Sequence, residues 1–401
     1  MRRESWYPFV MLGCATLVNF AYLGMVSNVI GLYTPAILEE FPEVSRSSFT
    51  VAITLLNLMA AVGNLLHTPV RERVTVRGML ALGWGLAAAG LTTYSLATSL
   101  PMFYLGGGLI GLSVGFCGAG TATLMVNSWF QKRRGTFVAV AMSGMGIGVA
   151  LISPVISYLM ENHGWRFAFR VIEGIVLLVG LVLVLVYRNA PAIETSHAAT
   201  GGKKQKLSIF KRPQYLVFMP LAFLTVIVLY ALMANLSVIA ADMGYSTMEI
   251  GYLSSVAFAV NVAVQLPTGM CCDRFGSTGI LLGSYGMMAV IFLTFLFVAK
   301  LPFFLMLVVA ALFGFAKSVL NNVTVFLAQE IAPEEEKPNM VSLCVGMTSM
   351  GAAFGIYLVQ LGYDLTGSYR VIYILLLVLA AVCTGLNRYL WRLKAQNMKS
   401  F

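Results

Sequence analysis

Apolar residues run along this chain in long blocks, set apart by short breaks that hold proline, glycine and most of the charge. Divided at those breaks, the chain gives twelve blocks, near 8–37, 47–67, 78–97, 101–126, 136–160, 166–187, 214–241, 248–269, 279–299, 302–331, 339–363 and 370–390. Each is long enough for a helix to cross a bilayer, since ~20 apolar residues at about 1.5 Å each cover a hydrocarbon core of about 30 Å. The blocks 101–126 and 136–160 contain no charged residue at all. A membrane β-barrel would instead show alternating segments of ~10 residues, and the pattern lacks them. The expectation is an all-α membrane protein with twelve transmembrane helices.

Composition agrees. Hydrophobic residues make up 59% of the 401-residue chain and charged ones 10%, with a mean hydropathy of +0.85; a soluble domain carries about 25% charged residues. The net charge of +10 is high enough for a nucleic-acid partner, but its placement follows the membrane. With the N-terminus inside, the inner breaks hold Arg71, Arg73, Arg77, Lys132, Arg133, Arg134, Arg188, Lys203, Lys204, Lys206 and Lys211, among others. The opposite side keeps Arg46, Arg166, Arg170, Lys300 and Arg370. That asymmetry is the positive-inside signal. It puts both termini in the cytoplasm and removes the nucleic-acid reading. The first block follows an interfacial Trp6–Tyr7 and has no small-residue cleavage site, so it is expected to remain as a span. Short loops suit a bacterial inner membrane.

Catalytic chemistry is not indicated. His67, His163 and His197 are scattered, and no metal-ligand or nucleophile–base constellation appears. A GxxxxGK[ST] loop is also missing, which argues against direct ATP use. The vicinal Cys271–Cys272 pair reads as small-residue packing rather than redox chemistry. No enzyme activity, metal or cofactor is expected.

Polar residues inside the blocks are few. Asn57 and Asn64 share a helix face and are read as packing groups, with pore lining as the alternative. The fourth block is dense in glycine (Gly106, Gly107, Gly108, Gly111, Gly115), and the fifth carries Gly144 and Gly148. Small residues of this kind let helices approach closely, or leave room beside a cavity. In the sixth block Arg170 and Glu173 are expected to pair along one helix. The tenth block, bracketed by Pro302 and Pro333, holds a single cation near its middle, Lys317. A lysine at that depth costs roughly 2.5–3.5 kcal/mol on insertion scales. It is too far from either end to snorkel, so it should face protein interior or a wet cavity.

Residues 189–213 are small, polar and basic, and read as a cytoplasmic linker between two six-helix halves, 1–188 and 214–401. The halves look duplicated. Aligning GMLALG at Gly78 with GILLGS at Gly279 places Glu72–Arg73 on Asp273–Arg274, and HGWRFAF at Gly164 resembles TGSYRVIY at Gly367.

With these residues in view, the chain resembles the major facilitator superfamily, and within it the oxalate/formate antiporter and monocarboxylate-transporter branch. GMCCDRFGS (Gly269 to Ser277) is similar to the superfamily's loop motif; its first-half counterpart, TPVRERVTVRG, keeps an acid–base pair and loses both glycines. TPAILEEF with SRSSF, NSWFQKRRGTFVAVAMSGMGIG and GWRFAF resemble the branch. The likeness spans nearly the whole chain. It implies two pseudo-symmetric six-helix bundles rocking about a central site lined by spans one, four, seven and ten. It also implies a cytoplasmic latch containing Asp273 and Arg274, with Glu72 and Arg73 as the first-half equivalent; pairs made in one state and broken in the other give a bistable element. The arginine that carboxylate carriers of this branch place in the eighth span is absent: EIGYLSSVAFAVNVAVQLP holds Asn261 and Gln265 instead.

Lys317 shares a helix face with Phe313, Asn321 and Thr324, and Gln265 could approach it from span eight. Tyr22, Asn28 and Tyr230 are expected as hydrogen-bonding or aromatic walls on spans one and seven. An anion at ~4 Å would attract the lysine by ~4 kcal/mol at an effective dielectric near 20. The alternative is a structural lysine tied to carbonyls or amide side chains. The functional expectation is a monomeric secondary carrier of a small organic anion, a mono- or dicarboxylate, by exchange or with protons. An exporter of amphipathic or drug-like molecules is the second reading.

Overall fold

The computed structural model describes residues 6–130, 134–188, 213–298, 300–333 and 336–399. Among them all regular structure is helical. Twelve helices are long enough to span a bilayer: α1 Tyr7–Glu40, α2 Arg46–Arg71, α3 Val76–Ser95, α4 Leu100–Trp129, α5 Arg134–His163, α6 Trp165–Val186, α7 Pro213–Ala234, α8 247–275, α9 Gly276–Phe297, α10 Phe303–Glu330, α11 Lys337–Thr366 and α12 Arg370–Lys399. Eleven are also apolar enough to do so. The exception is α3, whose glycines, threonines and Trp84 dilute its hydropathy. A seven-residue helix, Leu236–Asp242, follows α7.

Two helices of the first half are interrupted. In α1 the stretch Asn19–Ser27 opens into wider π turns, and the Asn28 N–H donates five residues back to the Leu23 carbonyl at 3.2 Å. Such turns are rare and cluster at functional sites. In α4 the helix breaks at Gly118. Glycines with positive φ set three of the remaining corners: Gly276 (φ 72) between α8 and α9, Gly164 (φ 81) before α6 and Gly367 (φ 66) before α12. The last two occupy the matching corner of each half, where only a residue without Cβ turns left-handed at no cost.

The chain divides into two compact units, Met1–Ile193 with Ser237–Ala259, and Glu194–Leu236 with Val260–Phe401. The expected linker lies outside the described residues except for Pro213. Ser237–Ala259, second-half by sequence, groups with the first unit for visible reasons. Asp242 accepts two hydrogen bonds from the Arg46 guanidinium, one of them at 2.7 Å. Gly251 packs on Ser157, and Ser255 Oγ donates to the Ala150 carbonyl.

Within the first unit the glycines of α4 act as contact points rather than spacers. A Cβ on Gly107 would overlap the Ala52 carbonyl, on Gly111 the Leu56 carbonyl, and on Gly115 the backbone of Gly63, all on α2. Gly144 and Gly148 of α5 lie in the same way against Thr16, Phe20 and Gly24 of α1. Arg166, which stacks on Trp165 at 4.2 Å, pairs with Glu40 and donates to the Ala97 carbonyl at 3.0 Å. The expected Arg170–Glu173 pair is not formed. Glu173 Oε1 accepts from Thr92 Oγ1 of α3 at 2.5 Å, while Arg170 is exposed; a hydroxyl on the neighbouring helix outcompetes a solvent-side cation whose pairing is worth little.

In the second unit Gly351 of α11 meets the Phe223 carbonyl of α7. Polar side chains bind helices across the apolar core: Gln360 Nε2 donates to Asn235 Oδ1 at 2.7 Å, and Thr225 Oγ1 and the Tyr285 hydroxyl lie 2.6 Å apart.

Replacing Gly111 with valine should therefore cost about 1–3 kcal/mol by overpacking. Gly108→Ala, whose Cβ would have Met59 Cγ 3.9 Å away as its nearest neighbour, should be neutral or slightly stabilising. Thermal unfolding of the two variants in detergent checks the difference; equal melting temperatures would contradict the packing described.

Candidate functional site

Helix α10 starts directly after Pro302, whose extended backbone (φ −56, ψ 143) stops any helix before it, and runs uninterrupted through Glu330. Lys317 sits at its middle, about 20 Å along the axis from either end at 1.5 Å per residue. The side chain is 7% exposed. Its Nζ lies 4.8 Å from the centroid of the Tyr230 ring on α7, within range of the ring's negative face. Lys317 and Tyr230 are the two expected site residues that the fold visibly brings together.

A stripe of polar contacts fastens α10 to α8 on both sides of that level. Asn261 Nδ2 donates to the Gly314 carbonyl at 3.4 Å, Thr268 Oγ1 and Ser318 Oγ lie 3.3 Å apart, and Asn322 Nδ2 donates to the Gln265 carbonyl at 3.0 Å. The α10 members 314, 318 and 322 recur every fourth residue and so form one row. This row holds Lys317 in register with α8. The sequence reading missed Asn322 and Ser318; the signal available was their spacing of four from each other and from Gly314.

The other expected residues sit differently. Gln265 contributes its backbone carbonyl, and its side chain is half-buried. Asn321 is exposed. Tyr22 and Asn28 belong to the first unit. Tyr22 is fully buried, its hydroxyl shared between Ser113 Oγ and the Ile110 carbonyl at 2.5 Å, with Trp84 edge-on at 6.0 Å. Asn28 Nδ2 donates to the Leu23 carbonyl at 2.8 Å, the same oxygen that takes its own N–H. Of the expected latch, Glu72, Arg73 and Arg274 are exposed, and Glu72 and Arg73 make no ion pair among the described residues. The Asp273 side chain lies outside them. No three His, Cys, Asp or Glu residues come together among the described residues. What the arrangement offers is one buried cation beside an aromatic ring, in an otherwise apolar and amide-bonded wall.

Comparison with known proteins bears on this geometry. The sequence profile of the Major Facilitator Superfamily matches residues 14–301 and 218–400. Monocarboxylate transporter 4 of Gallus gallus is 23% identical over 275 residues, 66% of this chain and 57% of that protein. Monocarboxylate transporter 12-B of Danio rerio is 37% identical over 121 residues, 30% of this chain and 24% of that protein. The match thus spans 57% or less of the length of these curated relatives. Among solved structures, a bacterial homolog of the human lysosomal transporter Spinster, inward-facing and unoccupied, superposes with a TM-score of 0.78 at 15% identity, covering 98% of both chains. The nucleoside transporter NupG superposes with a TM-score of 0.76 at 13% identity, covering 96% of this chain and 99% of that one. At those identities the two structures speak to fold alone. Fold and relatives are those of transporters, not enzymes, and the chain is a multi-pass membrane protein.

The buried cation should cost stability. Lys317→Met is expected to raise the stability of the detergent-solubilised protein by about 0.5–2 kcal/mol, the scale of common stabilising substitutions. A lysine held for structural reasons would give the opposite sign. Tyr230→Phe should be near neutral, whereas Tyr230→Leu should lose about 0.5–2 kcal/mol of cation–π attraction; thermal unfolding reads all three.

Proposed function

This chain belongs to the Major Facilitator Superfamily, and from that premise we propose that it is a secondary carrier of a small organic anion, with Lys317 as the partner of the anion's negative charge. The observation that carries the reading is the burial of that ammonium at the middle of α10 beside Tyr230. A full positive charge in an apolar wall discriminates strongly between anions and neutral solutes of similar size, by ~4 kcal/mol at ~4 Å and an effective dielectric near 20. The monocarboxylate-transporter relatives favour a carboxylate cargo. Lys317 takes the role that a span-eight arginine would otherwise fill, since α8 presents Asn261 and Gln265 there.

In this account Tyr230 orients the ammonium, and the Asn261, Ser318 and Asn322 contacts hold α10 in place. Transport proceeds by alternating access, as exchange or coupled to protons. Asp273 with Arg274, and Glu72 with Arg73, act at the cytoplasmic gate of a monomer whose termini both face the cytoplasm. The basic breaks between spans support that orientation through the positive-inside rule.

Uptake of mono- and dicarboxylates by proteoliposomes tests the proposal. Lys317→Gln should lower uptake of the transported anion at least about 100-fold, a conservative fraction of the ~4 kcal/mol at stake. Lys317→Arg should retain part of it. Unchanged carboxylate uptake in Lys317→Gln would remove the lysine from the site. Saturable export of a cationic dye, insensitive to carboxylates, would replace the anion-carrier reading with that of an amphipathic exporter.

A further inference from the structure

The second unit holds a cavity of about 320 Å³ where α8, α9 and α10 meet. It falls at the small end of the ~300–1,000 Å³ range of ligand sites. Pro267, Thr268 and Cys271 line it from the end of α8, Gly283 and Ser284 from α9, and Phe315 from α10. Its two hydroxyls are already engaged by the backbone. Thr268 Oγ1 donates to the Val264 carbonyl at 2.6 Å and Ser284 Oγ to the Ile280 carbonyl at 2.9 Å. A guest therefore meets hydrocarbon, an aromatic ring and a thiol. Pro267, Cys271 and Gly283 are exposed, so the cavity opens to the surroundings on a membrane-spanning part of the chain.

Charge lies at one end of this slot. The helix continues beyond Cys271 as far as the break at Gly276, which puts Arg274 one turn further along the Cys271 face. Arg274 is exposed. An apolar slot of this size with an arginine beyond its rim matches an amphiphile that has an anionic head and a hydrocarbon tail. Guanidinium binds phosphate oxygens in a forked geometry, and the net negative charge of such a head, which a zwitterionic head cancels with its own cation, supplies the preference. A chain in the slot gains the dispersion contacts that its apolar lining offers.

We propose that this cavity seats one acyl chain of an anionic phospholipid, with the lipid phosphate on Arg274. The site is separate from Lys317 and stands whether or not Lys317 meets a transported anion. A bound lipid here would bridge the ends of α8 and α9 across their Gly276 corner.

Gly283 provides a clean perturbation. A Cβ there meets nothing within 4 Å, so a side chain can start from Gly283 without displacing a neighbour, and Gly283→Leu adds bulk to the lining of the slot. The experiment is native mass spectrometry of the full chain reconstituted in mixed phosphatidylglycerol and phosphatidylcholine, then released into detergent. Wild type is expected to retain phosphatidylglycerol in preference to phosphatidylcholine. Gly283→Leu should reduce that retention at least roughly tenfold, the loss of about two buried methylenes. Arg274→Gln should abolish the headgroup preference while a lipid still binds. Cys271 gives an independent reading, because it is exposed and the other five cysteines are buried: phosphatidylglycerol should slow its alkylation by a bulky maleimide in wild type and not in Arg274→Gln. If Gly283→Leu fails to fold, Gly283→Ala, with a smaller reduction expected, replaces it. Equal retention of the two lipids by wild type, undiminished retention by a folded Gly283 variant, or a headgroup preference that survives Arg274→Gln would each overturn the proposal.

Discussion

A single ammonium in the middle of an apolar helix is the constraint from which the rest of the site follows. Placing Lys317 there costs roughly 2.5–3.5 kcal/mol on insertion scales. The Tyr230 ring, 4.8 Å away, returns about 0.5–2 kcal/mol. A negative guest close to Nζ would be attracted by a further ~4 kcal/mol. On the proposed reading the ring keeps the ammonium oriented, and the charge of the cargo adds to its stabilisation. That is how a binding site gains selectivity from a locally unfavourable group.

Such a group is useful only if the wall around it does not yield. The second unit meets this requirement with polar side-chain contacts rather than bulk: the row at 314, 318 and 322 fastens α10 to α8, and the Asn235–Gln360 bond fastens the residue that follows α7 to α11. The first unit achieves tight packing differently, through glycines of α4 and α5 that let backbones touch. Without a hydrophobic drive between helices in lipid, close backbone contact and interhelical hydrogen bonds are the available sources of cohesion.

Much of this was legible in the residues. Apolar run length gave the spans because a bilayer imposes one thickness on every helix, and α3 shows the limit, where dilution by glycine and threonine weakens the signal without removing the helix. Lys317 stood out because desolvation cost depends on depth, which run length measures. Partner choice was harder. Asn321 looked right as the next turn from Lys317, yet Asn322 makes the bond to α8 and Asn321 is exposed; one residue along a helix is a rotation of about 100°. The Thr92–Glu173 bond and the Arg46–Asp242 pair join residues far apart in the chain, and no local period announces them. The hydroxyl of Tyr22 and the amide of Asn28 are engaged by nearby groups of their own unit, which composition alone does not reveal.

The central claim is that charge on the guest, rather than its shape, is what Lys317 recognises. Thermal unfolding of the purified wild-type protein against matched pairs of carboxylates and their neutral carboxamides tests it most directly. A ligand at 100 times its Kd stabilises the folded state by about 2.7 kcal/mol. A saturable rise in melting temperature with a carboxylate and none with its amide is the predicted result. Equal stabilisation by both members of every pair would contradict it.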